Sequence, residues 1–255
     1  MLEIKPEKLR SQFNQDGYVA IRPLFDKGKI AEIRAETTRF IRDVVPTMPD
    51  VRVYYEDKND RTSLKQIQKM FEYDGYFAEL MNEGVVRELA EILLKDDVKP
   101  INMQYFNKPA GMGRATPPHQ DGYYFHLTPC EAVTGWLALD DVDEDNGCIH
   151  YVRGSHKADH FRPHGPTGIL GFSQGITDFG NGDDHANAVA FPGSAGTFLM
   201  HHARTIHWAG PNHAKDRARR AIGFIYYAKH AREDAKTRDT YQQALDQQLR
   251  ADAKI

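Results

Sequence analysis

The sequence predicts a mainly β protein with flanking helices, built on a double-stranded β-helix (jelly-roll) core. From residue 98 onward, short β-rich runs follow one another at 101–106, 119–127, 132–139, 148–152, 188–191, 196–202 and 220–228. Gly, Pro, Asn and Asp separate most of them, at 107–118, 140–147, 192–196 and 210–216, as the turns between antiparallel strands require. Before residue 98 the apolar spacing is mostly three to four, the period of helices. Strands at this spacing after a helical start fit a two-sheet jelly roll with helices packed outside.

Taken in order, 6–15 reads as a short helix, with Pro6 near its start and Gly17 past its end. Tyr18-Val-Ala-Ile21 is a short strand. Ile30, Ile33, Thr37, Ile41 and Val44 recur at helical spacing behind Asp26, a fitting N-cap. A second stripe runs through Phe77, Met81, Val85, Leu89 and Ile92, and both stripes read as helices facing a core. The stretch 160–187 is polar and Gly-rich without a period, which suggests a functional loop or lid. The tail over 236–254 is polar and helical in character. The chain therefore reads as one domain over 1–255: a mostly helical part at 1–97, the jelly-roll core at 98–230 and a tail at 231–255.

At 255 residues the chain is long enough to bury a core without staples. Its 33 Lys+Arg against 36 Asp+Glu leave a net charge of −3 with no basic block, so nothing electrostatic argues for a nucleic-acid partner. No apolar run approaches the roughly 18 residues of a membrane span. The first residues lack the apolar centre of a signal peptide. Cys130 and Cys148 are the two cysteines, without a Cys-x-x-Cys, which fits a reducing compartment, the cytoplasm, and no thiolate zinc site. Ten of the twelve histidines fall from His119 to His207, so a His-lined enzyme site with a small-molecule substrate is expected.

His119-Gln120-Asp121 is the leading motif. On a strand, residues two apart share a face, so His119 and Asp121 enter the barrel together while Gln120 points away. Non-haem Fe(II) oxygenases need two His and one carboxylate on one face of the metal because this leaves adjacent positions open for a cosubstrate and dioxygen. One His-x-Asp is about the chance expectation here, and a surface turn after Pro117-Pro118 is the bland alternative. His207-Trp-Ala-Gly-Pro-Asn212 supplies the distant third ligand, with His201 and His202 competing for the role. Arg217, Arg219 and Arg220 follow, and a guanidinium beside the metal would suit a dicarboxylate through two parallel charge-assisted bonds. Blander readings cover the rest. His126, His150 and His230 are strand histidines, Gly154-Ser155-His156 is a turn, and Asp183-Asp184-His185 is a solvated loop.

Several ordered motifs then coincide: Phe13-Asn-Gln-Asp-Gly-Tyr-Val19, Phe106-Asn-Lys-Pro109, Pro118-His-Gln-Asp-Gly-Tyr-Tyr-Phe125, Gly135-Trp-Leu-Ala-Leu-Asp140, Asn146-Gly-Cys-Ile-His-Tyr-Val-Arg-Gly-Ser-His156, and His207 with Gly210-Pro-Asn212 and Arg219-Arg-Ala-Ile222. Across most of its length the sequence resembles the phytanoyl-CoA dioxygenase family of Fe(II)- and 2-oxoglutarate-dependent oxygenases, which includes ectoine hydroxylase. The resemblance implies iron ligands His119, Asp121 and His207, and Arg219 as partner of the distal carboxylate of 2-oxoglutarate. It also implies Trp136 and Gln120 beside the cosubstrate and, from a segment of helical context, Lys65 touching it.

Three departures stand out. One extra residue before the Arg-Arg pair makes Arg217 a rival to Arg219, Ala209 stands where relatives often carry Ser, and Arg153 replaces a common Pro. Asp121 occupies the position that related halogenases vacate for chloride, so the implied reaction is hydroxylation with release of succinate and CO2. Two other classes stay in view: a binding or sensor protein that keeps the site without turnover, and a zinc hydrolase. Arg114, Arg153, His160, Arg162, His164 and His185 fall where they could surround the open face, which would suit a small polar substrate.

Overall fold

The computed structural model describes residues 5–180 and 182–251. Helix α1 (Pro6–Asp16) ends at Gly17 with φ +86°. A Cβ there would lie 2.5 Å from His156 Nδ1, so glycine is required by both conformation and space. Strand β1 (Tyr18–Ile21) follows, and α2 (Lys27–Asp43) starts on Asp26, whose carboxylate accepts the Lys29 N–H at 2.8 Å.

The stripe expected as one helix is two, α3 (Gly75–Asn82) and α4 (Val85–Leu94), because Gly84 takes φ +76° and breaks the run. The N-terminal part also contains β2 (Val53–Tyr55) and β3 (Leu64–Ile67), strands too short to show a period in sequence. Lys65 thus sits on a strand, not in the helical context read for it.

The rest comprises β4 (Val98–Lys108), β5 (Thr116–His119), α5 (Gly122–Phe125), β6 (Leu127–Thr128), β7 (Ala132–Ala138), β8 (Ile149–Val152), β9 (His164–Ile169), β10 (Phe172–Ile176), β11 (Ala188–Phe191), β12 (Phe198–His202), β13 (His207–Ala209), β14 (Arg219–Ala228), β15 (Arg232–Glu233) and α6 (Ala235–Ala251). A seven-stranded sheet runs β1-β12-β7-β14-β4-β3-β2, and a four-stranded sheet β11-β8-β13-β5. Tyr18, Trp136, Leu199 and Ala221 of the large sheet meet Ile149, Tyr151 and Phe191 of the small one in the barrel interior. On β14 the alternation is plain: Ala221 faces in, while Ile222 and Phe224 face out against the helices. Ile33, Phe40, Phe77 and Leu89 are fully buried in that outer layer, each contributing about 1.5–3 kcal/mol of burial.

Two further expectations change. The strand over 119–127 does not form. The chain leaves β5 at His119, Asp121 turns into helical backbone (φ −56°, ψ −38°), and α5 follows, fixed by the Gly122 N–H donating to the Ala203 carbonyl at 2.8 Å. The 160–187 stretch is not a structureless loop either. It carries the β9–β10 hairpin, whose turn residue Gly171 lies against the Gln66 amide. Phe179 then packs on Trp208, Val152 and Ile206 over the outside of the small sheet. The Ser173 hydroxyl is 2.5 Å from that of Tyr241 on α6, so the tail helix braces the hairpin. Among the described residues no helix is long and apolar enough to cross a membrane.

Candidate functional site

Strands β5 and β13 pair antiparallel with His119 directly opposite His207, which sets the two rings 4.1 Å apart. Asp121 joins them through the strand-to-helix turn rather than through the pleat. Its Oδ1 lies 3.4 Å from His119 Nε2 and 3.6 Å from His207 Nε2, and the three ligand atoms all fall within 4.8 Å of one another. His119 Nδ1 is 2.8 Å from the Pro117 carbonyl, and His207 Nδ1 is 3.0 Å from that of Thr205. A carbonyl only accepts, so each Nδ1 carries the proton and each Nε2 points a lone pair at the same carboxylate oxygen. Three acceptor atoms converging without a proton between them need a cation, and two imidazoles with one carboxylate suit a divalent transition metal. The Nδ1–H bonds to backbone hold the rings in the orientation that metal-binding histidines adopt.

The electrostatics agree. Burial, with His119 and His201 facing it, pushes the His207 imidazole well below its usual value, so the ring is neutral. Burial alone would raise the Asp121 carboxyl. The facing His207 and the His201 Nε2–H hydrogen bond outweigh that and hold it well below the usual carboxylate range.

The rival histidines separate. His202 accepts the Arg204 N–H at 3.1 Å and lies 3.8 Å from Glu131, with its ring against Phe13, away from the centre. His201 points inward, its Nε2 3.1 Å from the second Asp121 oxygen, Oδ2, but it stands outside the converging set.

A cluster of cations lines a small cavity next to this centre, with Phe172 between the two. Arg219 is 4% exposed and makes no ion pair among the described residues; its Nε has no partner, and its guanidinium sits 5.5 Å from the centre of the Trp136 ring. Burial lowers Arg219 to about 10. Arg217 is instead at the surface, 2.9 Å from Asp143 and 3.5 Å from Asp145. Lys65 and Lys108 line the same cavity as Arg219. Lys65 is 3.3 Å from Glu56, and Lys108 stands opposite Arg219 in the β14–β4 register, donating to the Arg114 carbonyl. Burial, together with Arg219 and Lys65, pushes the Lys108 ammonium down to about 6. Phe172 on the hairpin joins this cavity to the histidine centre, lining the cavity with its ring 5.3 Å from that of His119.

Gln120 is buried with its amide committed, donating to the Arg204 carbonyl at 2.7 Å and accepting the Arg162 N–H at 3.0 Å. It lines a groove of about 290 Å3 with Arg162 and Asp184 rather than the cation cavity. Asp184, read as solvated, is buried and paired with Arg162 at 3.1 Å. His126 takes φ +47° after α5, and His230 is an exposed turn residue 2.7 Å from Asp96, so neither is a strand histidine; His150 is, stacked on Trp208. Sequence reading gave no role to Thr134, Tyr151, Lys108 or Phe172. Thr134 was within reach, since it lies two residues from Trp136 on one strand. Lys108 needed the cross-strand register.

The profile of the phytanoyl-CoA dioxygenase family (PhyH) matches residues 13–221. The chain is 25% identical over 214 residues to a probable alpha-ketoglutarate-dependent hypophosphite dioxygenase of Stutzerimonas stutzeri, covering 82% of this chain and 74% of that one. It is 26% identical over 217 residues to the peroxisomal phytanoyl-CoA dioxygenase of Mus musculus, covering 80% of this chain and 63% of that relative. Among solved structures, the epimerase SnoN in complex with Fe3+, alpha ketoglutarate and nogalamycin RO superposes with a TM-score of 0.71 at 25% identity, over 89% of this chain and 85% of that one. The apo form of EctD from S. alaskensis gives 0.73 at 17% identity, over 89% and 79%, a likeness of fold alone.

Proposed function

Since the chain belongs to the phytanoyl-CoA dioxygenase family of 2-oxoglutarate-dependent non-haem iron dioxygenases, we propose that it hydroxylates a small polar molecule at an iron held by His119, Asp121 and His207. The observation that carries the site is the convergence of two Nε2 lone pairs on one oxygen of Asp121, with both Nδ1 protons held by backbone carbonyls. When bound, iron with 2-oxoglutarate and dioxygen supplies the oxidising power and releases succinate and CO2. The protein's own residues do the rest. Arg219 meets the distal carboxylate of 2-oxoglutarate with a rigid pair of donors, Trp136 fixes the guanidinium plane, and Lys65 adds a second charge. Ala209 offers no hydroxyl, so orientation falls to these cations. Gln120 acts at one remove by tying the metal turn to the Arg204 and Arg162 backbone.

The polar preference rests on amides rather than on the arginines first considered. Arg114, Arg153 and Arg162 face Glu56, Asp16 and Asp178 with Asp184, and His164 stacks on Tyr123. Gln66 and Asn107 line the cation cavity, each with a buried carbonyl oxygen that has no partner among the described residues, and a buried acceptor left unpaired costs about 1–3 kcal/mol. A substrate that brings hydroxyl or amine donors in beside the bound 2-oxoglutarate would satisfy them, whereas an acyl chain would not. Two unpaired thiols, Cys130 and Cys148, suit the cytoplasm as its location. A panel of polar and acyl substrates, scored by substrate-dependent succinate formation and by hydroxylated product formed per succinate, tests the proposal. Turnover restricted to long-chain acyl thioesters would overturn the polar reading.

A further inference from the structure

Asp121 is held on both oxygens. While Oδ1 faces His119 and His207, Oδ2 accepts the Thr134 hydroxyl at 2.6 Å and the His201 Nε2–H at 3.1 Å. The fold delivers both donors together, because His201 stands directly opposite Thr134 in the β12–β7 register. A carboxylate only accepts, so His201 carries its proton on Nε2, and its Nδ1 becomes the acceptor for the Tyr151 hydroxyl, 2.9 Å away. That tautomer is the reverse of the one imposed on His119 and His207. Tyr151 has no freedom to turn aside: it is fully buried and stacked on Tyr18, ring centres 4.7 Å apart.

Building on the reading of His119, Asp121 and His207 as metal ligands, we propose that Tyr151 and His201 form a positioning relay. Together with Thr134 they occupy Oδ2 and present Asp121 to the metal through Oδ1 alone. A carboxylate bound through one oxygen leaves free a coordination position that a two-oxygen carboxylate would fill, and this chemistry needs that position. His201 and Tyr151 touch neither cosubstrate nor metal in this arrangement; they act through Asp121.

The test is a visible-absorption titration with Co(II) alone, under nitrogen, on wild type, His201→Phe, His201→Gln and Tyr151→Phe. The wild type should bind Co(II). His201→Phe should bind it about 10- to 100-fold more weakly, the range for outer partners of metal ligands. Its d–d bands should change shape as Oδ2 is released toward the metal. Tyr151→Phe, which keeps the ring and its stacking, should move affinity and spectrum in the same direction by less. His201→Gln, which restores an N–H donor, should recover most of both. Wild-type affinity and spectrum in both His201→Phe and Tyr151→Phe would overturn the relay, and loss confined to His201→Phe would remove Tyr151 from it. Should His201→Phe fail to fold, Tyr151→Phe decides alone. Folded wild type that binds no Co(II) would instead overturn the metal-site reading on which the relay rests.

Discussion

At the end of β5, two imidazole lone pairs and a carboxylate oxygen converge with no proton among them; in the neighbouring cavity, Arg219, Lys65 and Lys108 crowd together with Glu56 as their counter-charge. The first arrangement is an excess of electron pairs, the second an excess of cations. Each is costly to bury by itself. The cost at the second is visible in Lys108, driven down to about 6 by burial and by its neighbours. A cation bound at the first end and a dianion spanning to the second would relieve both, which is the charge distribution of a metal chelating a dicarboxylate. The comparison teaches that neither end accounts for itself, and that the pair specifies its ligands jointly.

Breaking the electron-rich end should have the largest effect. Asp121→Ala should weaken Fe(II) binding by more than about 100-fold, beyond what removing an outer partner costs, as read by equilibrium dialysis. At the cationic end, Arg219→Ala should leave the metal in place and weaken 2-oxoglutarate by about 100-fold, within the 2–5 kcal/mol lost when one partner of a buried charge pair is truncated. Isothermal titration of the Fe(II)-loaded protein without oxygen measures it. Lys108→Met sharpens the contrast through pH. Free Lys108 is neutral above about pH 6, and a dianion beside it favours the ammonium, so binding takes up a proton and affinity falls as pH rises from 6 toward 8. The variant should flatten that slope. Arg217→Ala should change 2-oxoglutarate affinity less than about two-fold, since its partners are exposed carboxylates. A large loss there with none at Arg219 would reverse the assignment.

Much of this was legible in sequence. The jelly roll showed in strand spacing because its turns are marked by Gly, Pro, Asn and Asp, and Asp26 and Gly17 delimit helices as their chemistry dictates. His119, Asp121 and His207, singled out by motif, do lie together, but by another geometry than the motif suggests. The strand expected over 119–127 is a strand-to-helix turn, whose helical backbone at Asp121 leaves no trace in the apolar pattern. The hairpin within 160–187 was hidden because β9 and β10 carry mixed polar and glycine residues with no clean alternation. Thr134, His201 and Tyr151 meet only through pairing across β7, β12 and the facing sheet, a long-range relation that no local spacing encodes.

The decisive measurement is anaerobic: Fe(II) is added to wild type, then 2-oxoglutarate, and the visible spectrum is followed for the metal-to-ligand charge-transfer band of a chelated keto acid. The shared-ligand account predicts a band in wild type, its loss in His207→Ala, and a band in Arg219→Ala that appears only at much higher 2-oxoglutarate. A folded wild-type protein that takes up Fe(II) and 2-oxoglutarate without developing the band would contradict it.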